Sequence, residues 1–474
     1  MARRPKHASG LCGVAGLLGL VGMGVLAAAP PASASGSPKL YVTSTGTDAS
    51  NNTCRLAAHP CATVVHALSV APAGATIDVG AGTYQAPLHI TQNVTIVGTN
   101  NSNGKPKSII FPATTVADTD SNPENPDAST IGALVDVTDG ATADLSNLVI
   151  NGSTASFGLS GCAPNYVGLY YHNASGTVSN VNIQSADLPS APGCQSGFGA
   201  YVTTDSGPGS DVNFSGVKVA NYQKNGITCR YAGTTCSVSD STVTGVGPTN
   251  KIAQNGIEFA FGSSGSITGS TASGDVYTGG TGGGAGLPGG NQATGILVYD
   301  EGPMSVTGNT VIDNDVDIQA IDDSGAISGG WNIENNTVSG ATDDVPSTEP
   351  GYGEGNAWGD GIQISTDGDV NPTTVSGNTI SGNYEYGIGL YGTSHATVSS
   401  NTTNTNYDGI YVDSASGALT FTGNTAKHNS RYDFEDTSSG GGDLGTADGW
   451  LPATTSGAAN TCKPLFDSAP EGLC

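Results

Sequence analysis

Two groups of side chains stand out as able to do chemistry. Asp300-Glu301, Asp322-Asp323 and Asp367 form an acidic series, and Lys218, Lys224, Arg230 and Lys251 gather four cations within 34 positions of an otherwise acidic chain. Carboxylates crowded together raise one another's pKa, which makes a general acid near neutral pH. Separations of roughly 5 Å and of about 6.5–9.5 Å suit retaining and inverting glycoside hydrolysis respectively. The same oxygens are hard ligands for calcium, and plain exposed acids in turns are the third reading. Beside the acids run Tyr299, Gln319, Gln363, Tyr391 and Tyr411, with Trp358 in a nearby insertion. Aromatic faces suit the C–H surfaces of sugar rings and amides suit paired hydroxyls, although tyrosine is also an ordinary strand residue.

What positions these residues is a repeat. DGIQIS…TTVSGNTISGN, YGIGLY…ATVSSNTTNTN and DGIYVD…LTFTGNTAKHN follow one another, their Gly-Ile pairs starting at Gly361, Gly387 and Gly409. Asn378, Asn401 and Asn424 keep step 23 residues apart. A fixed period of that length marks a solenoid, and apolar residues alternating with small or polar ones mark its units as strands. One unit cannot bury its apolar side alone, but stacked copies share a core. The expected fold is all-β, a parallel β-helix. Counting from the Gly of each coil, places one and three point inward and places two, four and six outward, since side chains alternate. That puts the acids and the tyrosine–amide series on one outer ridge, with adjacent coils roughly 4.8 Å apart.

The Gly-Ile strands, the VSGNTISGN-like second strands and the Asn in register resemble the right-handed parallel β-helix repeats of the pectin-lyase-like superfamily, over about residues 40–435. Asp322-Asp323 looks like the adjacent Asp pair of the polygalacturonase-type hydrolases, in which one member is the general acid. The resemblance also implies lyase chemistry, in which a Lys or Arg base removes the C5 proton of a uronate while calcium neutralises its carboxylate. Lys224 or Arg230, with Glu258 one coil on, would border such a site.

Residues 1–34 join a basic start, a Gly/Leu/Val/Ala run and an Ala32-Ser33-Ala34 end, the pattern of a secretory signal peptide. Without them eleven basic and forty acidic residues remain, so an exported protein with no nucleic-acid partner and no membrane partner is expected. The remaining cysteines fall into close pairs, Cys54 with Cys61, Cys162 with Cys194, Cys229 with Cys236 and Cys462 with Cys474, and export favours disulfides. Residues 35–98 read as an N-terminal cap and first coils, with a short helix near 62–70 closing the core. Residues 99–435 read as the body, 99–130 being a loop, with insertions near 271–293 and 341–359; residues 436–474 read as a disulfide-strapped cap or tail. The expected function is secreted and carbohydrate-active, binding a polysaccharide or cell-wall glycan along a lateral face, with glycoside hydrolysis by Asp322 or Asp323 as proton donor and Glu301 or Asp367 as base or nucleophile. A calcium-dependent lyase and a non-catalytic glycan-binding module are the alternatives.

Overall fold

The computed structural model describes residues 37–112, 120–121, 130–153, 162–205, 207–278, 293–322, 329–342, 359–366, 371–393, 395–413, 416, 419–437, 459–463, 468–469 and 473. Their short strands stack into three sheets of 13, 13 and 14 strands, designated sheets 1, 2 and 3. Each coil gives one strand to each sheet, and every pairing is parallel except that of Asp120–Ser121 with Thr130–Val137. The fold is a right-handed parallel β-helix.

Sheet 3 carries the Gly-Ile strands. Ile227, Ile257, Ile296, Ile318, Ile362, Ile388 and Ile410 lie in register from coil to coil and are fully buried. The preceding glycine exists because coils approach closely there: a Cβ at Gly226 would lie 2.3 Å from Val243 Cγ1 and 2.5 Å from the Gly256 carbonyl oxygen. At the N-terminal end the helix Val64–Val70 turns Val64, Ala67 and Leu68 onto the first strands and closes the core, with the Thr63 hydroxyl accepting from the His66 N–H as its N-cap.

The asparagines found by their spacing form a buried ladder. Each of Asn309, Asn336, Asn378, Asn401 and Asn424 donates from its side-chain amide to the Oδ1 of the next, ending at Asn460, at 2.9–3.0 Å. A second ladder runs Asn383, Asn406, Asn429 and ends on Asp433. A buried amide stack needs every donor and acceptor matched, and the solenoid repeat supplies the match.

Two segments differ from the sequence reading. Ser108–Pro112 is a strand of sheet 2 inside the supposed loop 99–130, its Ser108 and Ile110 buried. Thr271–Tyr277 is also a strand of sheet 2, so the first insertion starts after it. The tail adds short strands, Thr461–Lys463 on Thr425–Lys427 and Ser468–Ala469 on Phe434–Asp436. Cys54–Cys61, Cys162–Cys194 and Cys229–Cys236 are disulfides. Cys462 is disulfide-bonded too, while Cys474 lies outside the described residues.

Candidate functional site

On the outer face of sheet 3, Tyr201, Thr228, Glu258, Leu297, Gln319 and Gln363 fall into one column across six coils. Over its middle opens a cleft of ≈ 360 Å³ lined by Lys224, Lys251, Asn255, Thr294, Tyr299 and Gln319, among others, with Gly193 and Gln195 of the Cys194 loop on one wall. That wall is fastened from below: the Gln223 side chain donates to the Ala191 and Cys194 carbonyls and accepts from the Leu188 N–H.

Lys224 follows Gln223 at the cleft floor, and its Nζ donates to the Ala253 carbonyl at 2.8 Å. It keeps some contact with solvent, yet burial pulls its pKa down to about 8, against the pull of Glu258. At neutral pH a useful fraction of this amine is therefore unprotonated. Beside it Arg230 Nε donates to Glu258 Oε1 at 2.6 Å, and Asn225 and Asn255 both donate to Oε2 at 2.8 Å. Burial alone would raise Glu258 and lower Arg230; each holds the other charged. Arg230 is not part of the cleft lining. Lys218 stands on sheet 2, so the run of four cations in sequence does not form one patch.

The acidic series is not a ridge. Asp300 takes φ +50°, and this left-handed turn ends the strand alternation that would have sent Glu301 outward. Glu301 is instead fully buried, accepting from the Ser263 hydroxyl at 2.5 Å, and its backbone carbonyl accepts from the Trp331 indole. Burial pushes its carboxyl up to about 8. Asp322 is buried as well, across from Thr366 in register. Asp323, Asp367 and Trp358 lie outside the described residues. Among the described residues, the one trio of histidine, cysteine or carboxylate groups close enough to share a metal ion is Cys54, Cys61 and His66, and its two sulfurs form a disulfide.

The expected sugar-binding side chains divide between two places. Tyr299 and Gln319 line the cleft; Gln319 and Gln363 are both buried, and Gln319 donates a 2.6 Å hydrogen bond to Gln363. Tyr391 and Tyr411 stand further on, Tyr391 donating to Asp360 at 2.9 Å and Tyr411 stacked on Tyr386 at 4.3 Å. Sequence reasoning missed Asn225 and Asn255. Their signal was the repeated Asn-Gly-Ile, whose asparagine comes to the outer face one step before the glycine.

A family model described as a right handed beta helix region matches residues 328–444. No curated protein sequence matches the chain. Among solved structures, the chain is similar to a pectate lyase at 15% identity and TM-score 0.38, covering 91% of this chain and 78% of that one. It is similar to the A-module of a mannuronan C-5 epimerase from Azotobacter vinelandii at 12% and 0.43, covering 78% and 85%. It is also similar to a lacto-N-biosidase from Eubacterium ramulus at 14% and 0.44, covering 80% and 64%.

Proposed function

We propose that the protein is a carbohydrate-active enzyme whose cleft takes a uronate-containing polysaccharide and breaks it by β-elimination, with Lys224 as the base. The observation that carries this reading is the lysine itself, held near pKa 8 on the floor of an open cleft. Burial has stripped it of hydration and of part of its affinity for a proton, and a base poised near the working pH is the efficient one. Lys251 in the same lining supplies a cation for the uronate carboxylate. Gln195, exposed on the wall formed by the Cys194 loop, supplies a partner for sugar hydroxyls. This local basic lining offsets the net charge of −26 that would otherwise repel a polyanion.

In the step, the Lys224 amine removes the C5 proton and the freed electron pair forms a C4–C5 double bond. The C4–O4 bond breaks, and the phenol of Tyr299 returns a proton to O4. The reading takes precedence over hydrolysis by Glu301 and Asp322 because Glu301 is sealed from solvent and Asp322 is buried; Asp323 and Asp367 lie outside the described residues.

The test follows reducing ends and near-ultraviolet absorbance together on polygalacturonate, polymannuronate, polyguluronate and neutral polysaccharides, with calcium and with chelator. Elimination raises both signals, rises with pH through about 8 as Lys224 loses its proton, and falls by about 10²–10⁴-fold in Lys224→Gln. Reducing ends without absorbance would return the reaction to a carboxylate hydrolase. Silence in both with glycan binding retained would leave a non-catalytic binding module.

A further inference from the structure

At the corner where sheet 3 strands end, the chain repeatedly turns through left-handed backbone. Asn173 (φ +51°), Tyr231 (+76°), Phe261 (+61°) and Asp300 (+50°) all take it. At all four corners the residue's N–H donates to the next coil: Asn173 to Thr203, Tyr231 to Ala260, Phe261 to Tyr299 and Asp300 to Ile321. Asn and Asp accept this conformation readily, but a bulky side chain there is an outlier that costs on the order of 1–2 kcal/mol. Two neighbouring coils nonetheless place aromatics at it.

The result is a row of rings. Tyr231 and Phe261 stack with centroids 5.3 Å apart and planes at 18°, and Phe261 meets Tyr299 edge-on at 5.4 Å. Phe261 stays 38% exposed, among the few large apolar side chains so placed in the described residues. The Arg230 guanidinium, 5.6 Å from the Phe261 ring and held by Glu258, braces the row from beneath. Tyr299 also lines the cleft, so the rings continue it outward along the helix axis for two coil steps, about 10 Å. Core packing would not require a strained, exposed Phe261 and a strained, half-buried Tyr231 at a corner that Asn173 and Asp300 turn without a ring.

We infer that Tyr231 and Phe261, continuous with Tyr299, form an aromatic platform on which pyranose rings of a polysaccharide stack beyond the cleft. The proposal rests on the glycan-binding part of the reading above, not on its elimination chemistry. Ring faces and axial C–H surfaces pair regardless of the sugar's charge, so the platform lends length to the binding site and leaves acid recognition to the cleft.

The experiment is calorimetric titration of wild type and the double variant Tyr231→Asn/Phe261→Asn with digalacturonate and with polygalacturonate, and with xylan as a neutral polymer. Asparagine keeps the left-handed backbone and removes the ring. Polymer affinity should weaken about tenfold, or ~1.4 kcal/mol, while disaccharide affinity and thermal midpoint hold. Tyr231→Phe should bind as wild type. Polymer affinity unchanged in the double variant would overturn the platform, as would a midpoint falling with affinity or wild type binding none of the three. Xylan binding lost in the double variant, with uronans untouched by the protein, would uphold the platform and sink the elimination reading.

Discussion

The outer face of sheet 3 carries a cation in each half, treated oppositely. In the first half Lys224 faces an open cleft and Arg230 is held by a single carboxylate, Glu258. In the second half Arg431 is clamped between Asp408 and Glu435 and covered by the rings of Tyr407 and Tyr432, at 4.8 and 5.1 Å. Around it Asp360, Tyr386, Tyr391 and Tyr411 close into mutual contacts. The same coil register thus builds an open basic cleft in one place and a self-paired ion cluster in the other. A charge left with room beside it is available to a ligand; a charge surrounded by its own partners serves the fold.

Removing each cation sharpens the contrast. Lys224→Gln should cut uronan turnover by about 10²–10⁴-fold, the range for a general base, with the thermal midpoint unchanged. Arg431→Ala should do the reverse, costing about 3–5 kcal/mol in urea unfolding because the fully buried Asp408 carboxylate loses its partner, with turnover per folded molecule unaffected. If Arg431→Ala abolished turnover without unfolding, the two halves would share one site.

Buried acids should make the protein prefer mildly acidic conditions. Burial holds the proton on Glu301 to about 8 in the folded state, against 4.5 for the ordinary carboxyl. Between these values the folded chain binds the extra proton, so stability falls as pH rises, by up to about 1.4 kcal/mol per unit. Burial, then Asp408, push Glu435 up to about 7 despite Arg431, adding a decline of the same sign between 4.5 and about 7. Melting from pH 5 to 8.5 should show the slope, and Glu301→Gln should flatten part of it. A midpoint rising across that range would contradict these burials.

The inner ladder bears on the fold alone. Asn401→Ala leaves the backbone and side-chain amides of Asn378 without their acceptor and should cost about 1–3 kcal/mol per orphaned group, read as a shifted denaturation midpoint with cleft affinity intact.

Much of this was legible beforehand. The 23-residue step of Asn378, Asn401 and Asn424 marked the ladder, and close cysteine pairs marked the three described disulfides. Both are local or strictly periodic, so spacing encodes them. Ser108–Pro112 escaped because a five-residue strand between polar turns shows too little alternation. Glu301 was placed outside because counting outward positions assumes that the strand continues, and the left-handed turn at Asp300 stops it.

The sequence by itself determined the solenoid and the inward aliphatic column of its coils, because every coil repeats one pattern of apolar and small residues; that each coil has three strands came from the structure. Only the tertiary structure decided which charges meet. Lys224, Lys251 and Gln319 are brought to one cleft by the stacking of coils, and Lys218, near in sequence, is sent to another sheet. The physical reason is that period fixes which way a side chain points, whereas desolvation and pairing depend on neighbours a full coil away.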